Sequence, residues 1–160
     1  MKNKETIFAL STPYGRSAIS VIRLSGPSSL NVAKKLTKKC NFSHRKVSFC
    51  NFFDSSGDII DRGLVIFFKS PSSYTGEDML EIHNHGSIAI INKMLEVLEK
   101  IIGCRFALPG EFSKRAFING KNDLIHFEGL ANLISSETEQ QRIVASRQTF
   151  GQTQNICKEW

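Results

Sequence analysis

Apolar residues along the first hundred or so positions fall into two rhythms, one alternating and one helical. Residues 6–10 predict a short strand, residues 12–15 a turn, and residues 18–25 a second strand. Gly26-Pro27 then opens a helix reaching to about residue 38, because proline suits the first helical turn. Residues 47–53 and 59–68 predict two strands joined by the turn at 54–58. Their nearly continuous apolar stretches predict that at least one of them is covered on both faces. A polar loop at 69–78 leads to a strand at 79–83, and Gly86 leads into a strong helix. Ile88, Ile91, Leu95, Leu98 and Ile102 form one stripe on it, widened by Met94, Val97 and Ile101, and a stripe that wide should pack on a sheet. A short strand at 105–107, a turn at 108–110 and a short helix at 111–118 follow.

The character changes near Asp123. Leu124, Phe127, Leu130, Leu133 and Ile134 stand at helical spacing, and helix-favouring sequence continues to Arg147 before a polar stretch at 149–157. This predicts one long helix with no partner to pack on. The expected fold class is α+β over residues 1–119, with residues 120–160 beginning a helical domain.

Composition narrows the classes without choosing among them. Hydrophobic residues make up 41% and charged residues 22%, values of an ordinary folded domain rather than a disordered one. The apolar runs are too short for a membrane span, and the first residues are too polar for a secretory leader. The expectation is a soluble, cytoplasmic protein with no membrane association. Cys40, Cys50, Cys104 and Cys157 show no paired spacing, which favours reduced thiols over a disulfide framework or a zinc site. The net charge of +6 is uneven, since no acid occurs between Thr6 and Phe53. A basic first third is suited to RNA or to an acidic partner surface, and equally to a solvated lysine-rich helix face.

Three residues break their local pattern. Alternation puts Arg23 on the face of Ile19 and Val21, and Glu81 on the face of Met79 and His83. A guanidinium on an apolar face needs an anion, because burying it alone is costly. Lys121 follows the turn signal Asn119-Gly120. Two readings stay open: a structural Arg23–Glu81 ion pair with a solvated lysine, or a binding site. His83 and His85, two apart on a strand, point the same way and suggest a metal-dependent nuclease, but no nearby ligand completes a site, so no metal is assigned. No GxxxxGK[ST] phosphate loop and no GxSxG elbow occurs, and no catalytic residue is assigned.

Three ordered segments carry a family resemblance. The first is Thr6-Ile-Phe-Ala-Leu-Ser-Thr-Pro-Tyr-Gly-Arg16 with Ala18-Ile-Ser-Val-Ile-Arg-Leu-Ser-Gly26. The second is Ser73-Tyr-Thr-Gly-Glu-Asp-Met-Leu-Glu81 with His85-Gly86. The third is Pro109-Gly-Glu-Phe-Ser-Lys-Arg-Ala-Phe-Ile-Asn-Gly-Lys121, continuing to Asp123-Leu124 and Glu128. Together they resemble the N-terminal region of the MnmE/TrmE family of tRNA uridine-modification GTPases.

That resemblance implies an N-terminal domain similar to the folate domain of the glycine-cleavage aminomethyltransferase, followed by a helical domain with an inserted GTPase domain. It implies a homodimer that binds 5-formyl- or 5,10-methylene-tetrahydrofolate. It also implies a flavoprotein partner of the MnmG/GidA type, with tRNA as substrate. The product would be a carboxymethylaminomethyl group at C5 of the wobble uridine, with folate supplying the one-carbon unit. GTP, magnesium and potassium would belong to the GTPase domain. That domain and the family's C-terminal cysteine motif have no counterpart in these 160 residues.

The family's folate-contacting arginine, glutamate and lysine match Arg23, Glu81 and Lys121. A carboxylate suits the adjacent N–H donors of a pterin edge, and folate's glutamate tail is an anion suited to Arg23 or Lys121. The chain departs from the family at His85-Gly86-Ser87, where His-Gly-Gly is usual, and at His126-Phe127-Glu128, where Gln-Ala-Glu is usual. The alternative reading is a stand-alone RNA-binding module using the basic first third. Against it, Phe49, Phe52 and Phe53 stand in apolar strands, where core is the simpler role.

Overall fold

The computed structural model describes residues 5–150, in two compact units divided between Phe112 and Ser113. The polar stretch from 151 onward, with Cys157, lies outside the described residues. Among them no helix is long and apolar enough to cross a membrane.

The first unit is a mixed α/β domain. Its strands are β1 (Thr6–Leu10), β2 (Ser17–Ser25), β3 (Val47–Phe53), β4 (Ile59–Phe68), β5 (Met79–Gly86) and β6 (Cys104–Phe106). They form one sheet in the order β3-β4-β5-β2-β1-β6, antiparallel throughout except for the β1–β6 pair. Helices α1 (Ser29–Thr37) and α2 (Ile88–Glu99) pack on this sheet. Alternation decides which side chains they cover. Ile22, Leu24, Phe52, Val65, Leu80 and Ile82 are buried with Val32, Leu36, Met94 and Leu98 in one apolar cluster. Each such side chain contributes roughly 1.5–3 kcal/mol by leaving water.

The continuous apolar runs of β3 and β4 suggested a strand covered on both faces, and the structure corrects this. Val47 and Phe49 on β3 and Leu64 on β4 are exposed. Within this unit the helices cover one face, and antiparallel sheets tolerate that. Two helix boundaries also differ from expectation. Pro27 precedes α1, whose N-cap is Ser28. Helix α2 ends at Glu99, so Ile102 lies beyond it and is 94% exposed instead of completing the stripe.

The β3–β4 turn is held by one carboxylate. Asp54 Oδ1 accepts the backbone N–H groups of Ser56, Gly57 and Asp58 and the Ser56 hydroxyl. Gly57 takes the positive φ of 96° that the turn requires. The Ser56 hydroxyl bond, helped by the turn N–H groups and Lys93, lowers the Asp54 pKa from 3.8 to about 2. A lowered carboxyl pKa stabilises the fold fully above the unfolded value, and that contribution is lost as pH falls through the folded one. Asp54→Asn should therefore unfold at lower urea than the parent at neutral pH, with the two midpoints converging as pH approaches 2. A gap that stays constant down to that pH contradicts this account of the turn.

Helix α3 (Glu111–Ile118) contains the division between the units. Arg105 anchors its start within the first unit, donating to both Glu111 carboxylate oxygens at 2.8 and 2.7 Å and to Glu5. The second unit holds α4 (Leu124–Ile134) and α5 (Glu139–Thr149), packed on one another. The single long helix expected to Arg147 is thus two helices, and the first does have a partner. Thr138 causes the restart through a capping box with Gln141. Gly129 permits the close approach, since a Cβ there would stand 2.7 Å from Thr149 N. His126 Nδ1 meets Thr149 O at 2.8 Å across the same contact. Ile134 at the end of α4 remains 78% exposed.

Candidate functional site

The two central strands, β2 and β5, place Arg23 directly opposite Glu81 on the uncovered face. Ala9 flanks the pair on β1 and Ile66 on β4. Arg23 donates through Nε at 3.0 Å and Nη2 at 2.8 Å, both to Glu81 Oε1. The ion pair anticipated from alternation is therefore formed. Its side chains are 31% and 16% exposed, so it is neither a free surface pair nor a sealed one. Such a pair adds little net stability, although removing one member leaves a poorly solvated charge.

Both guanidinium contacts fall on one oxygen. Glu81 Oε2 faces His83, whose Nε2 lies 3.5 Å away, out of reach of solvent and making no hydrogen bond. Oε2 thus stands beside a sealed imidazole nitrogen and makes no hydrogen bond of its own among the described residues.

The 69–78 loop adds an aromatic wall. Ser25 Oγ meets Thr75 Oγ1 at 2.6 Å and donates to Glu77 Oε2 at 2.7 Å, while Ser73 donates to the Glu77 carbonyl. Held in this way, Tyr74 lies with its ring 5.5 Å from the Arg23 guanidinium, within cation–π range. Sequence reasoning quoted this segment as a motif but gave it no role.

A second cluster was missed altogether. Asp61 Oδ2 accepts the His85 backbone N–H and Oδ1 meets His85 Nδ1, both at 2.8 Å. Burial alone would raise the Asp61 pKa, but the His85 N–H, its ring and the Arg62 N–H outweigh this and hold it below the usual carboxylate range. The two residues are far apart in sequence, and no local pattern announces such a pair. Beside them is a hollow of about 300 Å³, lined among others by Ile19, Phe49, Leu64, Arg62 and His83. A larger hollow of about 420 Å³ lies between α4 and α5, but amides, hydroxyls and small apolar groups line it, with no titratable side chain. Charged and imidazole side chains line only the smaller of these two.

Lys121 lies in the second unit, exposed in the turn between α3 and α4, its N–H bonded to Ala116 O at 2.9 Å. The structure brings Arg23 and Glu81 together with His83. Among the described residues no group of three or more His, Cys, Asp or Glu side chains is placed to hold a metal ion. His85 is bonded to Asp61 instead.

An α/β domain with a one-sided six-stranded sheet, a central ion pair on the open face and a helical hairpin after it defines the structural class. The family described as "GTP-binding protein TrmE N-terminus" matches residues 6–121. The chain is 48% identical over 98% of its length to the tRNA modification GTPase MnmE of Parvibaculum lavamentivorans, covering 36% of that protein. Proteins of the same name from Brucella canis and Rickettsia bellii are 46% and 45% identical over 98% of the chain, which covers 35% of each. The chain belongs to the TrmE family and corresponds to its N-terminal region. It spans about a third of the length of these relatives.

Proposed function

We propose that this chain is the tetrahydrofolate-binding and dimer-forming N-terminal part of a tRNA-modification GTPase. The observation that carries the proposal is the divided Glu81 carboxylate on the open face: Oε1 is occupied by Arg23, while Oε2, beside the sealed His83 Nε2, accepts no hydrogen bond among the described residues. A pterin's pyrimidine edge presents adjacent N–H donors and a ring nitrogen. Oε2 accepts from such a donor, Arg23 fixes the carboxylate's orientation, and Tyr74 supplies a ring against the bicycle. The residues present therefore fit the ligand. When bound, 5-formyl- or 5,10-methylene-tetrahydrofolate supplies the one-carbon unit. Lys121 keeps the folate-contacting role that the resemblance gives it.

The exposed apolar side chains Ile19, Val47 and Phe49 suit a second copy of the chain, as a homodimer in the cytoplasm requires. The names of the relatives support a place in tRNA modification. In the whole protein, a GTPase domain using GTP, magnesium and potassium would act with an MnmG/GidA-type flavoprotein on the wobble uridine. The N-terminal part, similar to the aminomethyltransferase folate domain, would hold the carbon donor.

Equilibrium dialysis against 5-formyltetrahydrofolate tests the proposal. Retention that excess tetrahydrofolate abolishes and excess GTP leaves intact is expected. No retention by a folded, monodisperse sample overturns it.

A further inference from the structure

We propose that the lysine-rich end of α1, on the helix layer, is a docking surface for the phosphate backbone of a structured RNA. Lys34, Lys35, Lys38 and Lys39 form it, all of them exposed. The surface lies on the covered side of the sheet, away from the Arg23–Glu81 pair, and stands independently of the folate reading. A lysine-rich helix face is ordinarily just solvated, and three features set this one apart.

The charge is unopposed. From Ser29 to Lys46 the bases are Lys34, Lys35, Lys38, Lys39, Arg45 and Lys46, and there is no acid. Among the described residues none of the four α1 lysines forms an ion pair. On α2, in the same layer, Lys93 is shared between Asp54 and Glu96, and Lys100 holds Glu96. The helix dipole accounts for only a fraction of the cluster. Lys34 and Lys35 stand in the last turn and Lys38 caps it, whereas a helix C-terminus carries about half a negative charge. The field reaches thiols on both edge strands. Burial pushes up the Cys50 thiol on β3 against Lys39, and the Cys104 thiol on β6 against Lys35.

Two of the charges are held in place. Lys38 turns left-handed at φ 56° and sets its ammonium 4.0 Å from the centre of the Phe53 ring. Lys39 lies 5.6 Å from the Phe42 ring. Ring contacts of this kind orient a cation without neutralising it, so less freedom is lost when an anion arrives.

The surroundings select the partner. No large hydrophobic side chain is exposed between Ile19 and Val47. A protein interface needs an apolar centre, whereas a nucleic-acid surface is polar and positively charged. Val32, Ala33 and Leu36 of α1 are buried in the core, so the helix has no apolar face left to enter a membrane. The four charges are ammonium groups, compact and strongly hydrated, which suit single phosphate oxygens rather than the forked grip on a carboxylate. Exposed Asn31 and Asn41 add neutral donors of the kind that reach phosphate and sugar oxygens.

Fluorescence anisotropy of a labelled, unmodified tRNA transcript tests this, with the whole chain titrated from 50 to 200 mM salt. Four neutralised phosphates give a slope of log affinity on log salt of about −3. Lys34→Gln with Lys38→Gln should weaken binding at 50 mM by at least about tenfold and flatten the slope by roughly 1.5. Glutamine keeps the helix propensity, and a thermal melt checks that the variant is folded. Lys93→Gln with Lys100→Gln removes the same charge from the same layer and should leave RNA affinity near that of the parent. Equal losses in the two variants would reduce the effect to net charge and overturn the surface. So would a folded parent with no salt-sensitive RNA binding. Polyglutamate or phosphatidylglycerol vesicles bound as tightly as the RNA would overturn the choice of partner. Folate binding enters none of these outcomes.

Discussion

Gly63→Ala should destabilise the first unit by about 3 kcal/mol, as overpacking between two paired strands does. Gly63 sits in β4 beside β5, and a Cβ built on it would stand inside the van der Waals surface of the His83 carbonyl oxygen and 3.0 Å from Phe52 Cε2. The backbone oxygen cannot turn away as a flexible side chain would. Relief requires the two strands to separate, which disturbs the row holding Leu64 and His83. The loss appears as a lowered urea midpoint, and the variant that does fold should bind folate less well. An unfolding free energy within about 0.5 kcal/mol of the parent, the range of an ordinary surface change, would mean that the strands yield without cost.

The second large effect falls on binding. Glu81→Gln is isosteric and keeps a carbonyl acceptor, but it removes the charge and sets an amide where Arg23 and the pterin edge both need an acceptor. Folate affinity should fall roughly 30-fold or more, about 2 kcal/mol, which is the scale of a charge-assisted hydrogen bond. Stability should fall less than that, because the glutamine carbonyl still accepts from a guanidinium that is 31% exposed. Thermal melts and a binding isotherm on the same samples separate the two quantities. Equal affinity for parent and variant would remove Glu81 from the pterin edge and leave the pair a structural one.

Much of this arrangement was legible from sequence because it depends on periodicity. Alternation alone put Arg23 on the face of Ile19 and Val21 and Glu81 on that of Met79 and His83, and antiparallel pairing of β2 with β5 then makes them neighbours. The strands at 47–53 and 59–68 were equally plain, since β-branched and aromatic runs flank a turn that Asp54 and Gly57 dictate.

What failed has a common cause. Periodicity tells which residues share a face but not whether anything covers it, so the apolar side chains of β3 and β4 looked buried and Val47 and Phe49 are not. The Asp61–His85 pair depends on the β4–β5 register, which no local window contains. The break between α4 and α5 had a readable signal in Thr138 and Gln141, but the helix-favouring residues on either side outweighed it in the pattern. Asp61 therefore came to notice as the partner of His85 only once the sheet was assembled.

Calorimetric titration of the chain with 5-formyltetrahydrofolate, beside an Arg23→Ala variant shown to be folded, tests the central claim most directly. The account predicts micromolar-range binding, one ligand per protomer, lost in the variant. A folded parent that takes up no ligand, or a variant that binds as the parent does, would contradict it.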